Sequence, residues 1–305
     1  LPPPLSPDQQ KIVDAVNTGK NVYMYGPAGT GKSRVIKAVV ELLRNQEKKF
    51  AITAPSGVAA SNIDGRTIHS VFKYGSWNSF IQDLTKISTW AAIPDRLPEI
   101  ESLDVLIIDE ISMIGLNFFL AVDMIAKTVR RNNKPFGGIQ LFMSGDFLQL
   151  QPVKDRVLIE SSEFEEEYVD QMFELTEIYR QEDKVFSELL NEVRVGRLPD
   201  ELIKLLEKNY DEFIAMGGKI KPTHLYCTVR NTEQHNQNEL NKLESTKINI
   251  SARNKSDFDI SRFREAACRA PEKLELAIGA QVMTTINADN YVNGTRGVIV
   301  GYEND

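Results

Sequence analysis

The residues with the clearest chemical meaning form a Gly-rich segment that ends in lysine and serine, Gly26–Ser33 (GPAGTGKS). It follows an apolar run, Val22–Tyr25, and precedes Val35–Leu43, where apolar residues recur at helical spacing. Glycines let consecutive backbone N–H groups turn toward one anion, and a helix N-terminus adds partial positive charge. We therefore predict a cradle for the phosphates of a nucleoside triphosphate. In it, Lys32 reaches the β- and γ-phosphates and the Ser33 hydroxyl binds Mg²⁺.

Two carboxylates follow a second apolar run, Val105–Ile108. Mg²⁺ prefers carboxylate, hydroxyl, water and phosphate oxygens, so Asp109, Ser33 and a triphosphate form a coherent set of ligands. The next residue, Glu110, is placed to orient and deprotonate an attacking water. Acidic residues often end strands and are weak evidence alone. The occurrence of Asp109 and Glu110 together with the phosphate cradle is what indicates ATP hydrolysis.

Three further polar residues have two interpretations each. Gln149, three residues after Asp146, is either a surface amide or a sensor of the γ-phosphate, and its setting favours the sensor. Arg180 is either an interdomain ion-pair residue or a guanidinium that stabilises transition-state charge. Gln9 is either an ordinary residue of the helix that begins at Ser6-Pro7 or a reader of the adenine edge.

The composition is that of a globular protein rather than of a protein that coats nucleic acid by charge alone. The chain has 305 residues, 42% hydrophobic and 26% charged, with a net charge of −7. No apolar stretch approaches the ~20 residues needed to span a bilayer, so we expect no membrane partner. The cysteines are Cys227 and Cys268, which we expect to be reduced, as in an intracellular compartment. Three small basic clusters are expected to be solvated faces: Arg130-Arg131 with Lys134, Lys219 with Lys221, and Arg262 with Arg264.

The elements that must position these residues alternate between short apolar runs and helical patterns, which predicts a parallel sheet covered by helices. The expected strands of this first region are Val22–Tyr25, Phe50–Thr53, Val105–Ile108 and Ile139–Met143. Amphipathic helices are expected over Asn117–Arg131, Phe186–Val195 and Glu233–Leu243, with a further strand at Thr223–Thr228. Two strands of a small β unit are expected over 274–286 and 297–302, with Asn293-Gly294 between them as a turn.

Several motifs occur in an order that resembles the Pif-type DNA helicases of superfamily 1, relatives of RecD-like motors. The motifs are Leu5–Gln9, Gly26–Ser33, Ala54–Ala60, Thr67–Ser70, Ile107–Met113 and Gly145–Leu150. The stretch Ile125–Gln140 is also similar to the signature of that family. The resemblance extends from Leu5 to Tyr302, and an ordered set of this kind is far more specific than any single motif.

The resemblance implies an α/β fold of the P-loop NTPase class with tandem RecA-like domains and the start of a small SH3-like β insertion. The first RecA-like domain is expected over 1–175, with a small insertion at about 71–98. Part of the second is expected over 176–270, and the β insertion is expected to begin at 271–305. The implied activity is ATP-driven, Mg²⁺-dependent movement along single-stranded DNA in the 5′-to-3′ direction, with unwinding of duplex, forked or G-quadruplex DNA.

The same resemblance assigns roles residue by residue. It places Lys32, Ser33, Asp109, Glu110, Gln149 and Arg180 at ATP and its metal, Gln9 at adenine, and Gly29, Thr30, Gly31 and Arg34 in the nucleotide-binding segment. It places Ser56, Gly57, His69 and Ser70 along the DNA in the first domain, and Thr228, Arg230 and Asn231 along it in the second. From the residue alone, His69 is equally well explained as a buried, hydrogen-bonded imidazole.

Some positions depart from the family pattern. Gln151 stands where a proline is usual and Ser144 where cysteine is common. The family also continues into segments that close the DNA site and supply a second arginine for ATP, and we expect this chain to be a shortened form.

The alternative to a helicase is a nucleotide-responsive module that binds single-stranded DNA without turnover. A third possibility is a P-loop ATPase of unrelated purpose, which leaves Ala54–Ala60 and Thr67–Ser70 unexplained. A monomer is the expected state.

Overall fold

The computed structural model describes residues 4–73, 97–179, 184–216, 222–252, 272–285 and 294–302. The chain divides into two compact units, Leu1–Lys204 and Leu205–Asp305. The expected domain boundary near residue 175 stays a prediction, and most of the expected insertion at 71–98 lies outside the described residues. Within the described ranges, none of the helices is both long and apolar enough to cross a bilayer.

The first unit is built on a sheet of six described strands, all paired in parallel. The strands are β1 (Val22–Tyr25), β2 (Phe50–Ala54), β3 (Arg66–Thr67), β4 (Val105–Ile108), β5 (Gln140–Gly145) and β6 (Gln171–Glu174), in the order β3-β2-β4-β5-β1-β6. All four strands expected in this region are confirmed, with ends shifted by one or two residues in β2 and β5. The strands β3 and β6 were not expected.

Helices cover both faces of this sheet. They are α1 (Pro7–Asn17), α2 (Lys32–Asn45), α3 (Gly57–Asn62), α4 (Ile68–Val71), α5 (Pro98–Ser102), α6 (Leu116–Arg130) and α7 (Ser162–Tyr168). Two further helices, α8 (Lys184–Arg194) and α9 (Asp200–Ala215), follow β6 along the chain. Side chains alternate across a strand, so Val22 and Met24 join one hydrophobic core while Tyr23 joins the other. The first core contains residues of α1 and α2, and the second contains residues of α6 and α7. A parallel sheet buried on both faces explains why its central strands are continuous apolar runs.

The second unit begins within α9 and otherwise contains one helix and two antiparallel strand pairs among its described residues. These are α10 (Val229–Asn241), β7 (Lys247–Ser251) with β8 (Lys273–Ala277), and β9 (Gln281–Met283) with β10 (Arg296–Val298). The expected small β unit is thus present, and its assignment to an SH3-like domain stays a prediction. The expected single strand over 274–286 is wrong, because the chain turns at Gly279, with a φ of 89°, between β8 and β9.

The expected strand at Thr223–Thr228 is also wrong. This segment has no regular secondary structure and pairs with no strand in the described part of the chain, and Leu225 is 91% exposed. A strand needs a neighbour for its backbone N–H and C=O groups, and an apolar sequence alone does not supply one. The helix expected from Glu233 begins earlier, at Val229, because the Thr228 hydroxyl accepts a hydrogen bond from the Asn231 N–H at 3.3 Å and caps it.

Candidate nucleotide site and nucleic-acid interface

The Gly-rich loop joins β1 to α2, and two of its positions have no room for a side chain. A Cβ on Gly26 would lie 2.2 Å from the Leu175 carbonyl oxygen. Gly31, which caps α2 with a φ of 86°, would place a Cβ 2.6 Å from the Gln9 side-chain nitrogen. The loop is closed internally by the Thr30 hydroxyl, which donates to the Pro27 carbonyl at 2.9 Å. Glycine is therefore required by the packing around this loop.

The Lys32 side chain lies across the concave side of its own loop. Its Nζ donates hydrogen bonds to the carbonyls of Gly26 at 2.7 Å and Pro27 at 2.8 Å. Burial lowers the pKa of Lys32, while the nearby carboxylates, Glu110 foremost, favour its charged form. A phosphate oxygen entering the loop would be a stronger, charged partner for this ammonium group than two neutral carbonyls.

Both expected acidic residues follow the carboxyl end of β4. Burial raises the pKa of Asp109, and the nearby Ser144 hydroxyl acts in the opposite direction. Burial, followed by the charge of Asp109, raises the pKa of Glu110. The backbone of Glu110 adopts the left-handed conformation, φ 52° and ψ 43°, which is costly for a side chain of this type and occurs most often at functional sites.

The donor set fits a magnesium ion. Asp109 is a buried carboxylate without a full countercharge, and Ser33 presents an exposed hydroxyl in the first turn of α2. The Ser144 hydroxyl is buried and makes no well-aligned hydrogen bond with any described residue. Among the described residues there is no cluster of three or more His, Cys, Asp or Glu side chains suited to a metal. Mg²⁺ is commonly held by one or two protein oxygens together with phosphates and water, and Asp109 and Ser33 would supply those protein oxygens.

Gln149 does not project freely from the loop after β5. Its side-chain nitrogen donates to Asp146 at 3.0 Å, and the Leu148 N–H donates to the same carboxylate at 3.1 Å. The Arg194 guanidinium donates to the same two carboxylate oxygens of Asp146, at 2.7 and 3.0 Å. Burial alone would raise the pKa of Asp146, but the bonds from Arg194 and Gln149 outweigh it and lower that pKa.

Sequence reasoning missed Arg194. It ends the amphipathic helix α8, and nothing near it in the sequence points to Asp146, which lies 48 residues away. The expected catalytic Arg180 lies outside the described residues. Gln9 is buried beside the loop, with its side-chain nitrogen 3.5 Å from the Thr30 carbonyl, and its contact with adenine stays a prediction. Arg34 lies half-buried in the first turn of α2.

The expected DNA-contacting residues of the first unit follow β2 and β3. Ser56 caps α3 by accepting the Ala59 N–H at 3.2 Å, and Gly57 is exposed beside it. Ser70 is exposed in α4, where its hydroxyl donates to the Thr67 carbonyl at 2.8 Å. Because β1 to β5 are parallel, these residues lie at the same edge of the sheet as the phosphate loop.

The His69 ring stacks on Phe118 with ring centroids 4.5 Å apart. Burial lowers its pKa, so the imidazole is neutral near pH 7. One face of the ring is thus covered by protein, and the contact of His69 with DNA stays a prediction.

In the second unit, Thr228, Arg230 and Asn231 are exposed at the N-terminus of α10. Helix N-termini attract anions, which is consistent with a phosphate contact. Of the three basic clusters, the first is partly structural, because the Arg130 guanidinium is bound to four backbone carbonyls. The clusters around Lys219 and Arg262 lie outside the described residues.

The sequence was compared with protein-family models and with curated proteins, and both comparisons identify the same family. A family model described as PIF1-like helicase matches residues 4–203. The ATP-dependent DNA helicase PIF1 of Danio rerio is 38% identical over 307 residues, which cover 98% of this chain and 47% of that protein. The chain thus spans about half the length of the curated relatives it matches.

Solved structures agree with the sequence comparison. The crystal structure of Pif1 helicase from Candida albicans superimposes with a TM-score of 0.73 at 32% identity, covering 98% of this chain and 69% of that one. Pif1 helicase from Bacteroides in complex with ADP-AlF3 and ssDNA gives a TM-score of 0.67 at 25% identity, covering 99% of this chain and 71% of that one. The α/β fold expected from the sequence is therefore confirmed as the RecA-like P-loop fold of these proteins.

Proposed function

The chain belongs to the PIF1-like helicase family, and on that premise we propose that it binds ATP in the β1–α2 loop and couples ATP hydrolysis to movement along single-stranded DNA. The observation that carries the proposal is the convergence of polar groups at one edge of the sheet. Lys32 follows β1, Glu110 follows β4 and Asp146 follows β5, and these three strands are neighbours. The carboxylates are close enough to act on the charge state of Lys32.

The described residues of the site have roles that their positions support, and the role of Arg180 follows from the family alone. The N–H groups of Gly29, Thr30 and Gly31 cradle phosphates, Arg34 follows them in the first turn of α2, and Lys32 balances the phosphate charge. Ser33 and Asp109 would hold Mg²⁺, which would neutralise charge developing on the phosphates. Glu110 accepts a proton from the attacking water, and Gln149 reads the γ-phosphate. Arg180 supplies a further positive charge to the transition state.

The finer features follow from the family. We propose movement in the 5′-to-3′ direction, unwinding of duplex, forked or G-quadruplex DNA, and a monomeric motor. DNA would run over Ser56, Gly57, His69 and Ser70 in the first unit and over Thr228, Arg230 and Asn231 in the second. Hydroxyl groups and backbone N–H groups of this kind bind phosphates without reading sequence, as a motor that moves along any strand requires.

The decisive experiment measures ATP turnover with and without a single-stranded oligonucleotide. We expect at least ~10-fold acceleration by DNA, equivalent to about 1.4 kcal/mol of barrier. Lys32→Ala should lose nucleotide binding and turnover together, whereas Lys37→Ala, an exposed lysine of the same helix, should behave as the unsubstituted chain. Turnover that is indifferent to DNA would point to a P-loop ATPase of another purpose. Tight DNA binding without turnover would instead support the nucleotide-responsive binding module.

A further inference from the structure

The ion pair between Arg194 and Asp146 joins a helix to the nucleotide site. Arg194 is the last residue of α8, and Asp146 follows directly after β5. Arg194 Nε donates to one carboxylate oxygen at 2.7 Å and Nη2 donates to the other at 3.0 Å. The Asp146 side chain is 2% exposed and that of Arg194 is 20% exposed. A planar guanidinium bound through two nitrogens fixes both the distance and the orientation of a carboxylate.

The same two oxygens hold the loop that carries Gln149. The oxygen bound by Nη2 also accepts the Leu148 N–H, and the oxygen bound by Nε also accepts the Gln149 side-chain nitrogen. Each carboxylate oxygen of Asp146 is therefore shared between Arg194 and the loop. If the guanidinium were removed, the carboxylate could rotate and the side chain of Gln149 would lose its anchor.

Charge gives the pair a second effect on the site. The Asp146 carboxylate is close enough to Lys32 to influence its protonation, so it lies near the place where phosphates would bind. An unpaired buried carboxylate there would repel a triphosphate. Arg194 balances that charge, which leaves Lys32 available to the nucleotide.

We propose that Arg194 is a positioning residue of the nucleotide site, which orients Asp146 and through it holds Gln149 where the γ-phosphate is read. This inference rests on the proposed function, since it needs ATP in the β1–α2 loop. It also gives α8 a mechanical connection to the nucleotide, because any displacement of Arg194 moves the anchor of Gln149.

The test compares the affinity of the full chain for a non-hydrolysable ATP analogue with its affinity for ADP, in the presence of Mg²⁺. This ratio needs no turnover. We expect the unsubstituted chain to prefer the triphosphate and Arg194→Ala to lose about tenfold of that preference, the worth of one charge-assisted hydrogen bond. The affinity of Arg194→Ala for ADP should change less than its affinity for the ATP analogue, because ADP has no γ-phosphate. Arg197→Ala is the matched control, since Arg197 is a neighbouring arginine in a surface pair with Glu192.

A double variant separates positioning from a general structural effect. If Arg194 acts through Gln149, Gln149→Ala should lose the same preference, and combining the two substitutions should cost no more than either alone. Arg194→Lys keeps the positive charge but cannot bind both carboxylate oxygens in the same way. Its preference for the triphosphate should therefore lie between those of the unsubstituted chain and Arg194→Ala. An unchanged preference in both Arg194 variants, or additive losses in the double variant, would overturn the inference. An unsubstituted chain that binds neither nucleotide would instead overturn the proposed function.

Discussion

The side-chain nitrogen of Gln9 donates to the backbone carbonyl of Thr30 at 3.5 Å, which joins α1 to the phosphate loop. The oxygen of the same amide accepts the Ser6 N–H at 3.2 Å, and the Ser6 hydroxyl accepts the Gln9 N–H in return. Gln9 thus serves both as the third residue of a capped helix and as a contact to the loop. To read adenine, its amide must exchange one of these bonds for the base.

Gln9→Ala should therefore reduce the preference for ATP over GTP. We expect a loss of about tenfold in relative affinity, because an amide that binds the adenine edge supplies one or two hydrogen bonds. Competition between the two nucleotides measures it. Ser6→Ala is the control: it removes the cap and costs about 1 kcal/mol of stability, but it leaves the amide in place. Equal loss of selectivity in both variants would indicate that helix α1, and not the amide, is responsible.

Glu110→Gln should bind ATP and DNA with nearly unchanged affinity but lose turnover by at least ~100-fold, since an amide keeps the shape of the side chain without accepting a proton. Equilibrium binding of a fluorescent ATP analogue and steady-state hydrolysis give the two quantities. Glu110→Asp, which keeps a carboxylate at a shorter reach, should retain more activity than the amide. Normal hydrolysis by Glu110→Gln would show that another group takes the proton.

Asp146 should stabilise the fold in a pH-dependent way. Its pKa in the folded state lies below the ordinary value of 3.8, so its contribution is complete above that pH and is lost as the pH falls through the lowered pKa. Asp146→Asn should cost about 3 kcal/mol at pH 7, because it leaves Arg194 without its partner. As the pH falls below 3.8, the free energy of unfolding of the Asp146→Asn variant should decrease less steeply than that of the unsubstituted chain.

Denaturant unfolding at a series of pH values measures this contribution. Glu192→Gln is a suitable comparison, because it removes an exposed carboxylate from a surface pair with Arg197 and should cost under about 1 kcal/mol. Parallel pH curves for Asp146→Asn and the unsubstituted chain would contradict the assignment.

Arg130 should matter for stability and not for DNA. Its Nε donates to the Gly137 carbonyl at 2.8 Å, and its Nη1 lies 2.8 to 3.1 Å from the carbonyls of Ile100, Glu101 and Leu103. Arg130→Ala should lower the free energy of unfolding by about 2–3 kcal/mol, because those carbonyls lose a charged donor. Lys134→Ala, an exposed neighbour, should leave stability unchanged. A stable Arg130→Ala variant with weakened DNA binding would reverse this interpretation.

Among the described residues of the second unit, Arg230 is exposed in the first turn of α10, where a helix N-terminus favours an anion. Arg230→Ala should weaken binding to single-stranded DNA of any sequence and lower the slope of log affinity against log salt concentration by about 1. Titrations at several salt concentrations give that slope. Lys242 lies at the other end of α10, about 18 Å away along the helix axis, and Lys242→Ala should leave the slope unchanged. A reduced slope in the Lys242 variant would show that the charge effect is not local.

The sequence predicts the central part of the sheet well, because a strand buried on both faces must be apolar along its length. Every residue of β4 has 0% exposure, and its apolar run is unmistakable. The strands β3 and β6 escape prediction for the converse reason. One is two residues long, and the residues of the other, Gln171–Glu174, are mostly exposed. These two segments are strands because they pair with β2 and β1, and their amino-acid composition does not reveal it.

The candidate site divides in the same way. The loop, the acidic pair and Gln149 are recognisable because each is a local pattern that follows a strand. The pairing of Arg194 with Asp146 depends on how α8 packs, and no local pattern reports it. The segment Thr223–Thr228 shows the opposite failure, since its composition is typical of a strand but no strand among the described residues pairs with it.

The position of β1 in the sheet has a consequence for how the protein is made. This strand lies between β5 and β6, and Val22 is in register with Phe142 on one side and Gln171 on the other. A chain emerging from the ribosome therefore leaves the apolar segment Val22–Tyr25 without either neighbouring strand until about 120 further residues have been synthesised, and the second neighbour follows about 30 residues later. Hydrophobic segments whose pairing strands are synthesised much later fold slowly and are prone to aggregate. We therefore expect the nascent chain to benefit from chaperones.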